Sequence, residues 1–272
     1  MRIAIVAPSS RFKEEAAARV RQIAAARYPD VELFFHPQCF LTHNHFAGTD
    51  AERAAALVEV ANDPGFGAVW LARGGYGACR VVEDALARFG EAARRKAWLG
   101  YSDAGYLLAA LYKAGFPDLA HGPMPSDAMH EGGEAAVARG LDWLVRRDAD
   151  ALERKLAIGD HHAAFNLTVF SQLLGTALEP DLSDHVLLLE EVSEHMYRID
   201  RSFSHVTGQA SVRNVAGIRL GRVSDVPDND PDFGEDEESV ARHWCQRAGI
   251  AFLGRADIGH DSANKVVPFG RF

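Results

Sequence analysis

Short apolar runs alternate with helical stretches through the first half of the chain, and this alternation limits the fold more than any other feature of the sequence. Runs such as 3–7 and 68–71 have the length and composition of strands that are buried on both faces. The stretches between them, such as 12–27, have apolar residues at helical spacing, and 49–52 has the pattern of a capping box. Strands and helices in this order build a parallel sheet that helices cover on both faces.

The alternation predicts a Rossmann-like or flavodoxin-like α/β domain. Its strands are predicted at 3–7, 31–35, 68–71, 97–99 and 119–121. Its helices are predicted at 12–27, around 57–61, and at 81–89, 106–114 and 134–145. Charge rises and the alternation stops in the segment 146–155, so we expect a domain boundary near residue 150.

The remainder, 151–272, is predicted to be a smaller C-terminal domain of mixed α/β type, and 1–150 the N-terminal domain. Its strands are predicted at 186–189, 215–220 and 250–253, and its helices at 199–209 and 238–248. The sequence alone leaves the order of these strands open.

The charge balance bears on the partners of the protein. The 272 residues include 29 basic and 38 acidic residues, a net charge of -9, so the molecule as a whole repels phosphate backbones and anionic lipids. We therefore expect neither a nucleic acid nor a membrane as a partner. The three cysteines lie far apart in the sequence, which argues against a disulfide framework, and the apolar run at the N-terminus is too short for a signal peptide. These features predict a cytoplasmic protein.

The segment 99–104, LGYSDA, places Ser102 between a predicted strand and a predicted helix. A strand-turn-helix corner exposes a side chain and points backbone N–H groups at the atom that it attacks, which is typical of a nucleophile. The match to the G-x-S-x-G pattern is incomplete, because position 104 is alanine. A serine at this position is also typical of a helix N-cap, and the local signal alone favours the cap.

The segment 72–78, ARGGYGA, is a glycine-rich connection between a strand and a helix. Glycines allow the backbone to approach a ligand closely, and a helix N-terminus attracts negative charge, so an oxyanion or a phosphate fits here. The segment lacks the G-x-G-x-x-G and P-loop patterns, so it gives no support for a nucleotide. A tight turn without a ligand explains the glycines equally well.

Two further segments supply an acid and a base. The apolar run 187–189 is followed by Glu190 and Glu191, only one of which can point into a given site because successive strand residues face opposite ways. His260 lies in the glycine-containing segment 259–261, although a lone histidine is more often structural. A hydroxyl, an imidazole and a carboxylate together meet the requirements of a nucleophilic serine.

No metal and no cofactor are expected. The pairs His43 and His45, and His161 and His162, lack the spacing that places two imidazoles on one helix face. The acidic run 225–238 has prolines and a displaced glycine, so it is interpreted as a solvated loop rather than a calcium site.

Several long segments occur in the order of a known family, almost from end to end: IAIVAPSS, WLARGGYGACR, GYSDAGYLLAAL, NLTVFSQLLGT, LLLEEVSEHMYRIDR and IGHDSANKVVPFG. With these segments the sequence resembles the murein-tetrapeptide LD-carboxypeptidase family of serine peptidases, which also contains the microcin C immunity proteins. The resemblance implies two domains with a site in the cleft between them. It also implies a cytoplasmic homodimer that removes terminal D-alanine from muropeptide tetrapeptides during cell-wall recycling.

The resemblance assigns roles to particular residues. Ser102 is implied to be the nucleophile, His260 the base and Glu190 the carboxylate that orients it. The oxyanion hole is expected from the backbone N–H of Asp103 and that of Gly74 or Gly75. The substrate carboxylate needs a cation, for which Arg73, Arg198 and Arg201 are candidates because guanidinium pairs with carboxylate bidentately.

The sequence departs from the family at three places, one of which is Met196, where family members often carry a proline before the tyrosine. Ala164 and Phe165 replace a pair of glycines, and Glu191 replaces an aspartate beside Glu190, so the orienting role is open between the two glutamates. Two alternative functions also stay open. One is the same triad acting on another amide, such as a microcin-type peptidyl nucleotide. The other is a non-catalytic protein that binds a peptide or sugar, with Ser102 as a helix cap.

Overall fold

Two mostly parallel β-sheets organise residues 1–271, the part of the chain that the computed structural model describes. The strands are β1 Arg2–Val6, β2 Glu32–Phe35, β3 Ala68–Leu71, β4 Ala97–Gly100, β5 Leu119–His121, β6 His161–Asn166, β7 His185–Val192, β8 Gly217–Ser224, β9 Phe252–Arg255, β10 Val267–Pro268 and β11 Gly270–Arg271. The α-helices are α1 Glu14–Arg27, α2 Asp50–Asn62, α3 Val82–Leu86, α4 Glu91–Arg94, α5 Gly105–Lys113, α6 Gly133–Arg146, α7 Leu167–Leu173, α8 Met196–Gly208 and α9 Glu237–Ala248.

The first sheet has the order β2-β1-β3-β4-β5, with all five strands parallel, and β10 is added antiparallel to β5. This is the flavodoxin-like order, in which ligands bind beyond the carboxyl ends of the strands where the order reverses. The predicted fold class is therefore confirmed. The reversal lies between β1 and β3, so the loops after these two strands are expected at a ligand site.

Local chemistry explains the first sheet and its helices. Strands β3 and β4 are buried along their whole length, which explains their continuous apolar runs. The predicted capping box opens α2: the Thr49 side chain accepts the N–H of Glu52, and the Glu52 carboxylate accepts the N–H of Thr49.

The helix predicted over 81–89 is wrong in its extent. Helix α3 ends at Leu86, and the chain then makes tight turns, in which the N–H of Phe89 donates to the carbonyl of Leu86. Gly90 is extended and precedes α4, a separate short helix. Alanines continue the helical composition across this break, so composition alone did not reveal it.

The second sheet has the order β11-β6-β7-β8-β9, with β6 to β9 parallel and β11 antiparallel to β6. Strand β6 was not predicted, because two histidines open it and its apolar run is short. One cluster of core residues includes apolar side chains from both sheets, among them Leu107 of α5, Leu187 of β7 and Phe269. The other face of the first sheet belongs to a separate cluster that includes Ile3 and Trp70. Of the helices in residues 1–271, none combines the length and the apolar composition that a bilayer crossing requires.

The last strands connect the two sheets. Val267 and Pro268 of β10 pair with His121 and Ala120 of β5, and only one residue later β11 pairs with β6. Phe269 between them is buried and packs edge-on against Phe165. One short segment therefore belongs to both sheets, and His260 lies a few residues before it.

Candidate active site

A cavity of about 250 Å³ opens at the carboxyl ends of the strands of the first sheet. Ser102 from the loop after β4 and His260 from the loop after β9 both line it. The lining also includes Phe12, Lys13, Arg73, Gly74, Gly75, Tyr101, Met124, Ser126, Asp127, Met129 and His130. The structure therefore brings together two residues that are far apart in the sequence and that were both candidates for chemistry.

Ser102 adopts a backbone conformation that a serine rarely adopts. Its φ is +61°, in the left-handed region, and it begins a single 3₁₀ turn that leads into α5. No side chain caps this turn or the start of α5, so the helix-cap interpretation of Ser102 is wrong. A strained residue at the end of a strand, with its side chain partly exposed to a cavity, is typical of functional sites.

The glycine-rich loop lies directly against Ser102. A Cβ atom added to Gly74 would lie 2.5 Å from the Ser102 Oγ and 2.6 Å from its Cβ, so only glycine fits at this position. Gly75 has a φ of +110°, and a Cβ there would overlap the side chain of Ser10. Close approach and positive φ therefore both require these glycines.

The Asp103 side chain connects three loops at this site. Its Oδ2 accepts a hydrogen bond from the Ser9 hydroxyl, in the loop after β1, and another from the N–H of Ala78 at 2.8 Å. Burial raises the pKa of Asp103, and the hydrogen bonds from Ser9 and Ala78 oppose that shift. The sequence analysis considered only the backbone of this residue; its carboxylate fixes the glycine loop and the loop after β1 around Ser102.

His260 is paired with a fully buried carboxylate. Its Nδ1 lies 2.6 Å from Oε2 of Glu190, at the end of β7, and Glu190 has no exposed surface. Burial lowers the pKa of His260, but the charge of Glu190 and the hydrogen bond to it raise it further, so the net shift is upward. With Nδ1–H donated to the carboxylate, Nε2 is the nitrogen that can accept a proton.

Glu191 has a different role from that of its neighbour. Its carboxylate accepts hydrogen bonds from Asn166 Nδ2 at 2.7 Å and from both the N–H and the hydroxyl of Thr168, at 2.8 and 2.7 Å. It therefore holds the start of α7 to the sheet and does not contact His260. The prediction that only one of the two glutamates points into the site is confirmed, and the geometry selects Glu190.

The loop that carries His260 is held from both sides. Arg222 of β8 forms ion pairs with Asp257 and Asp261, which flank the histidine, and its N–H donates to the carbonyl of Ile258 at 2.8 Å. Arg139 of α6 donates to the carbonyl of Asn264 at 2.8 Å. Sequence reasoning missed both arginines, because nothing in the sequence shows that they meet this loop.

On the expectation that His260 acts as a base, we predict that Arg222→Lys lowers kcat by about 10–100-fold, because one ammonium cannot bind both aspartates and a small displacement of a catalytic group has an effect of this size. The acid limb of the pH profile of kcat/KM should also move to lower pH as His260 moves away from Glu190. Arg219→Lys is the matched control, since Arg219 lies on the same strand and its side chain donates, among residues 1–271, only to the Leu253 carbonyl. A loss of thermal stability with an unchanged kcat and acid limb would assign Arg222 a structural role alone.

Buried polar side chains lie next to the imidazole of His260. The Tyr101 ring is 4.8 Å from the His260 ring, and its hydroxyl donates to Asp127 Oδ1 at 3.0 Å. Burial raises the pKa of both Tyr101 and Asp127. His121 packs on the other side of Tyr101, and burial lowers its pKa to about 3, so it is neutral. The Tyr101 ring is therefore a second neighbour of the imidazole, besides Glu190.

The three arginines named from the sequence occupy different places. Arg73 lines the cavity, donates only to the carbonyls of Gly74 and Arg11, and pairs with no carboxylate within residues 1–271; burial lowers its pKa. Arg198 pairs with Glu194 and Tyr197, and Arg201 lies against the Tyr197 ring, so neither lines the cavity. Only Arg73 is brought to the site.

Phe165, the departure from the family pattern, lies in the core. Its ring stacks on Phe170 with centroids 5.0 Å apart and does not line the cavity. Across residues 1–271, no three histidine, cysteine, aspartate or glutamate side chains converge in a way that could hold a metal ion.

Comparisons with known proteins were made for the whole chain. Residues 3–122 match the family described as LD-carboxypeptidase N-terminal domain, and residues 163–272 match that described as LD-carboxypeptidase C-terminal domain. The chain is 25% identical to the murein tetrapeptide carboxypeptidase of Pseudomonas aeruginosa, over 99% of the chain and 91% of that protein.

Two solved structures share the fold. A muramoyltetrapeptide carboxypeptidase from Oxalobacter formigenes superposes with a TM-score of 0.82 at 23% identity, covering 99% of this chain and 93% of the other. The wild-type apo form of a microcin C7 self-immunity protein superposes with a TM-score of 0.81 at 17% identity, covering 99% of this chain and 91% of the other. Both likenesses extend over the two sheets and over the connection between them.

Proposed function

Because the chain belongs to the LD-carboxypeptidase family, we propose that it is a serine-type LD-carboxypeptidase that removes terminal D-alanine from muropeptide tetrapeptides in cell-wall recycling. The observation that carries the proposal is the pairing of His260 with buried Glu190 in the wall of the cavity that also exposes strained Ser102. Hydroxyl, imidazole and carboxylate are the groups that activate a serine for attack on an amide.

In the proposed reaction, Nε2 of His260 accepts the proton of the Ser102 hydroxyl as its oxygen attacks the carbonyl carbon of the scissile bond. The resulting imidazolium donates that proton to the nitrogen of the leaving D-alanine, and an acyl-enzyme remains on Ser102. Water then attacks the ester with His260 again as the base, which releases the shortened peptide. Glu190 keeps the imidazole in the required tautomer and stabilises its charged form.

The negative oxygen of the tetrahedral intermediate is assigned to backbone donors. The N–H of Asp103 follows the nucleophile directly, and that of Gly75 or Gly74 lies in the loop that packs against Ser102. Each such donor contributes about 3–4 kcal/mol to transition-state stabilisation in comparable enzymes. The Asp103 carboxylate supports this hole by fixing the glycine loop through Ala78.

Arg73 is the proposed site for the terminal carboxylate of the substrate. It is the guanidinium of the cavity wall, it has no carboxylate partner within residues 1–271, and its burial strengthens an ion pair with an anion. Arg198, which pairs with Glu194, is not proposed for this role.

The test of the function is release of D-alanine from a free muropeptide tetrapeptide, measured by mass spectrometry of both products. We expect one D-alanine for each tripeptide formed. If the tetrapeptide stays intact while a peptidyl-nucleotide amide is hydrolysed, the alternative substrate class is correct. If neither substrate is cleaved, the protein binds without turnover and the proposal fails.

We expect Arg73→Met to raise KM for the tetrapeptide by about 10–100-fold, the effect of losing a hydrogen-bonded charge partner, with a small change in kcat. The control is the same tetrapeptide with its C-terminal carboxylate amidated. The wild-type protein should discriminate strongly against the amide, and Arg73→Met should discriminate little. Equal KM values for acid and amide in the wild-type protein would contradict this assignment.

The cytoplasmic location and the homodimeric state stay predictions of the sequence. Sedimentation equilibrium of the purified protein tests the homodimer, and fractionation of cells that produce it tests the location.

A further inference from the structure

Three aromatic rings gather on the surface beside the glycine-rich loop. We call His45, Phe46 and Tyr76 the aromatic patch. The ring centroids are 5.4 Å apart for His45 and Phe46, 6.1 Å for Phe46 and Tyr76, and 6.2 Å for His45 and Tyr76. Tyr76 is 50% exposed and His45 is exposed, so two rings of the patch face solvent. Nothing in the proposed reaction uses them.

The patch has a fixed base. The guanidinium groups of Arg53 and Arg80 both lie over the Phe46 ring, at 4.6 and 5.2 Å from its centroid. Arg53 is fully buried and donates to the carbonyls of Pro8 and Gly77, so it ties Phe46 to the glycine loop. The outer rings of His45 and Tyr76 therefore rest on a rigid support, which lowers the entropic cost of binding a ligand.

The patch is continuous with the rim of the catalytic cavity. Gly75 lines the cavity and touches Ser10, whose hydroxyl lies 3.4 Å from Nε2 of His45. Tyr76 is the next residue after Gly75. Its Cα is at most about 7.6 Å from that of Gly74, since two consecutive Cα–Cα steps of 3.8 Å separate them. Because Gly74 lies against Ser102, the patch is a short distance from the attacking oxygen.

The cavity is too small for a whole muropeptide. Its 250 Å³ lies below the usual range of ligand pockets, about 300–1,000 Å³, so it has room only for the last residues of the peptide. The rest of the substrate must cross the rim. The three residues between the scissile bond and the sugar span about 10 Å when extended, so the sugar lies outside the cavity, on the surface near its rim.

We propose that the aromatic patch binds the amino-sugar ring that bears the peptide, so that the protein prefers glycan-linked tetrapeptide to free tetrapeptide. The inference rests on the proposed function and deepens it. Aromatic rings offer a flat apolar face and a polar tip, which suits a pyranose ring that has a C–H face and hydroxyl groups at its edge. Exposed apolar area beside a catalytic cavity is typical of a binding surface.

The test compares Tyr76→Ala with the wild-type protein on two substrates, the free tetrapeptide and the same tetrapeptide on its disaccharide. We expect KM for the disaccharide substrate to rise about 5–20-fold, an effect within the range that aromatic contacts contribute, and KM for the free peptide to change less than about twofold. Tyr76→Phe keeps the ring and should keep most of the preference. Ile158→Ala, at a residue that is 91% exposed, is the surface control.

The outcomes separate the two proposals. An equal rise in KM for both substrates would place Tyr76 in peptide binding, and no change for either would remove it from binding; each result overturns the patch as a sugar site. If the wild-type protein cleaves neither substrate, the carboxypeptidase proposal fails. Titration of the peptide-free disaccharide, followed by NMR of Tyr76 and His45 resonances, then tests the patch by itself. Shifts confined to these rings would support it, and their absence would overturn it.

Discussion

Ser102→Ala should lower kcat for D-alanine release by about 10⁴-fold or more, because no other group in a triad replaces the attacking oxygen. Folding stability should change by less than about 0.5 kcal/mol, since the side chain makes no cap and alanine pays the same backbone strain. The measurements are single-turnover kinetics and chemical denaturation of the same preparations.

Ser102→Gly sharpens this prediction. Glycine adopts a φ of +61° without the cost that an L-residue pays, so the variant should be equally inactive and about 0.5–1 kcal/mol more stable. Ser193 is the matched control, because it has the same φ of +61°, is exposed and does not line the cavity. Ser193→Gly should gain the same stability and keep full activity. Substantial turnover by Ser102→Ala would refute the proposed nucleophile.

Glu190→Gln should lower kcat by about 10³–10⁴-fold, as the loss of the orienting charge does in other serine triads. It should also change the pH dependence. Burial lowers the pKa of His260, and Glu190 more than reverses that effect, so the pKa lies above the usual 6.5. In the wild-type protein the base therefore becomes protonated, and activity is lost, as the pH falls through this raised pKa. Without the carboxylate charge and its hydrogen bond, the two largest causes that raise the pKa of His260 are lost while the lowering effect of burial stays, so the acid limb of kcat/KM should move to lower pH.

Glu191→Gln is the control for this variant, because Glu191 is as buried as its neighbour and makes its hydrogen bonds to Asn166, Thr168 and the backbone of Val192. Its loss should destabilise the fold by about 1–3 kcal/mol and move the acid limb much less than Glu190→Gln does, because Glu191 raises the pKa of His260 by its charge alone and is the smallest of the causes that raise it. If Glu191→Gln moves the acid limb and Glu190→Gln does not, the two glutamates have been assigned in the wrong order.

The five parallel strands of the first sheet could be predicted from the sequence because each is a separate apolar run between helical stretches. Strand β6 could not be predicted in this way, nor could the short strands β10 and β11, which pair with β5 and β6. His161 and His162 open β6, and β10 and β11 have two residues each, so periodicity gives no signal. These segments become strands only through pairing with distant parts of the chain, which depends on the tertiary fold.

The site was predictable to a similar degree. Its place between a strand and a helix made Ser102 a candidate, but the local pattern alone favoured a helix cap, and only the family resemblance favoured the nucleophile. Alternation on a strand showed that one glutamate at most could face His260. The structure was needed to show that the glutamate facing His260 is Glu190. Arg198 was selected for its chemistry alone, and its neighbours Glu194 and Tyr197 engage it instead. Arg139 and Arg222 were missed because their partners are backbone carbonyls and carboxylates in another part of the chain.

The segment 266–271 limits the motions that are available to this protein. A hinge motion that separated the two sheets would have to break the backbone pairing of β10 with β5 or of β11 with β6. Separating the two sheets to admit a ligand therefore costs more free energy than moving loops and side chains at the rim of the cavity. The loops that carry Ser102 and His260 are therefore expected to keep their relative positions, because the chain itself joins the two sheets from which they extend.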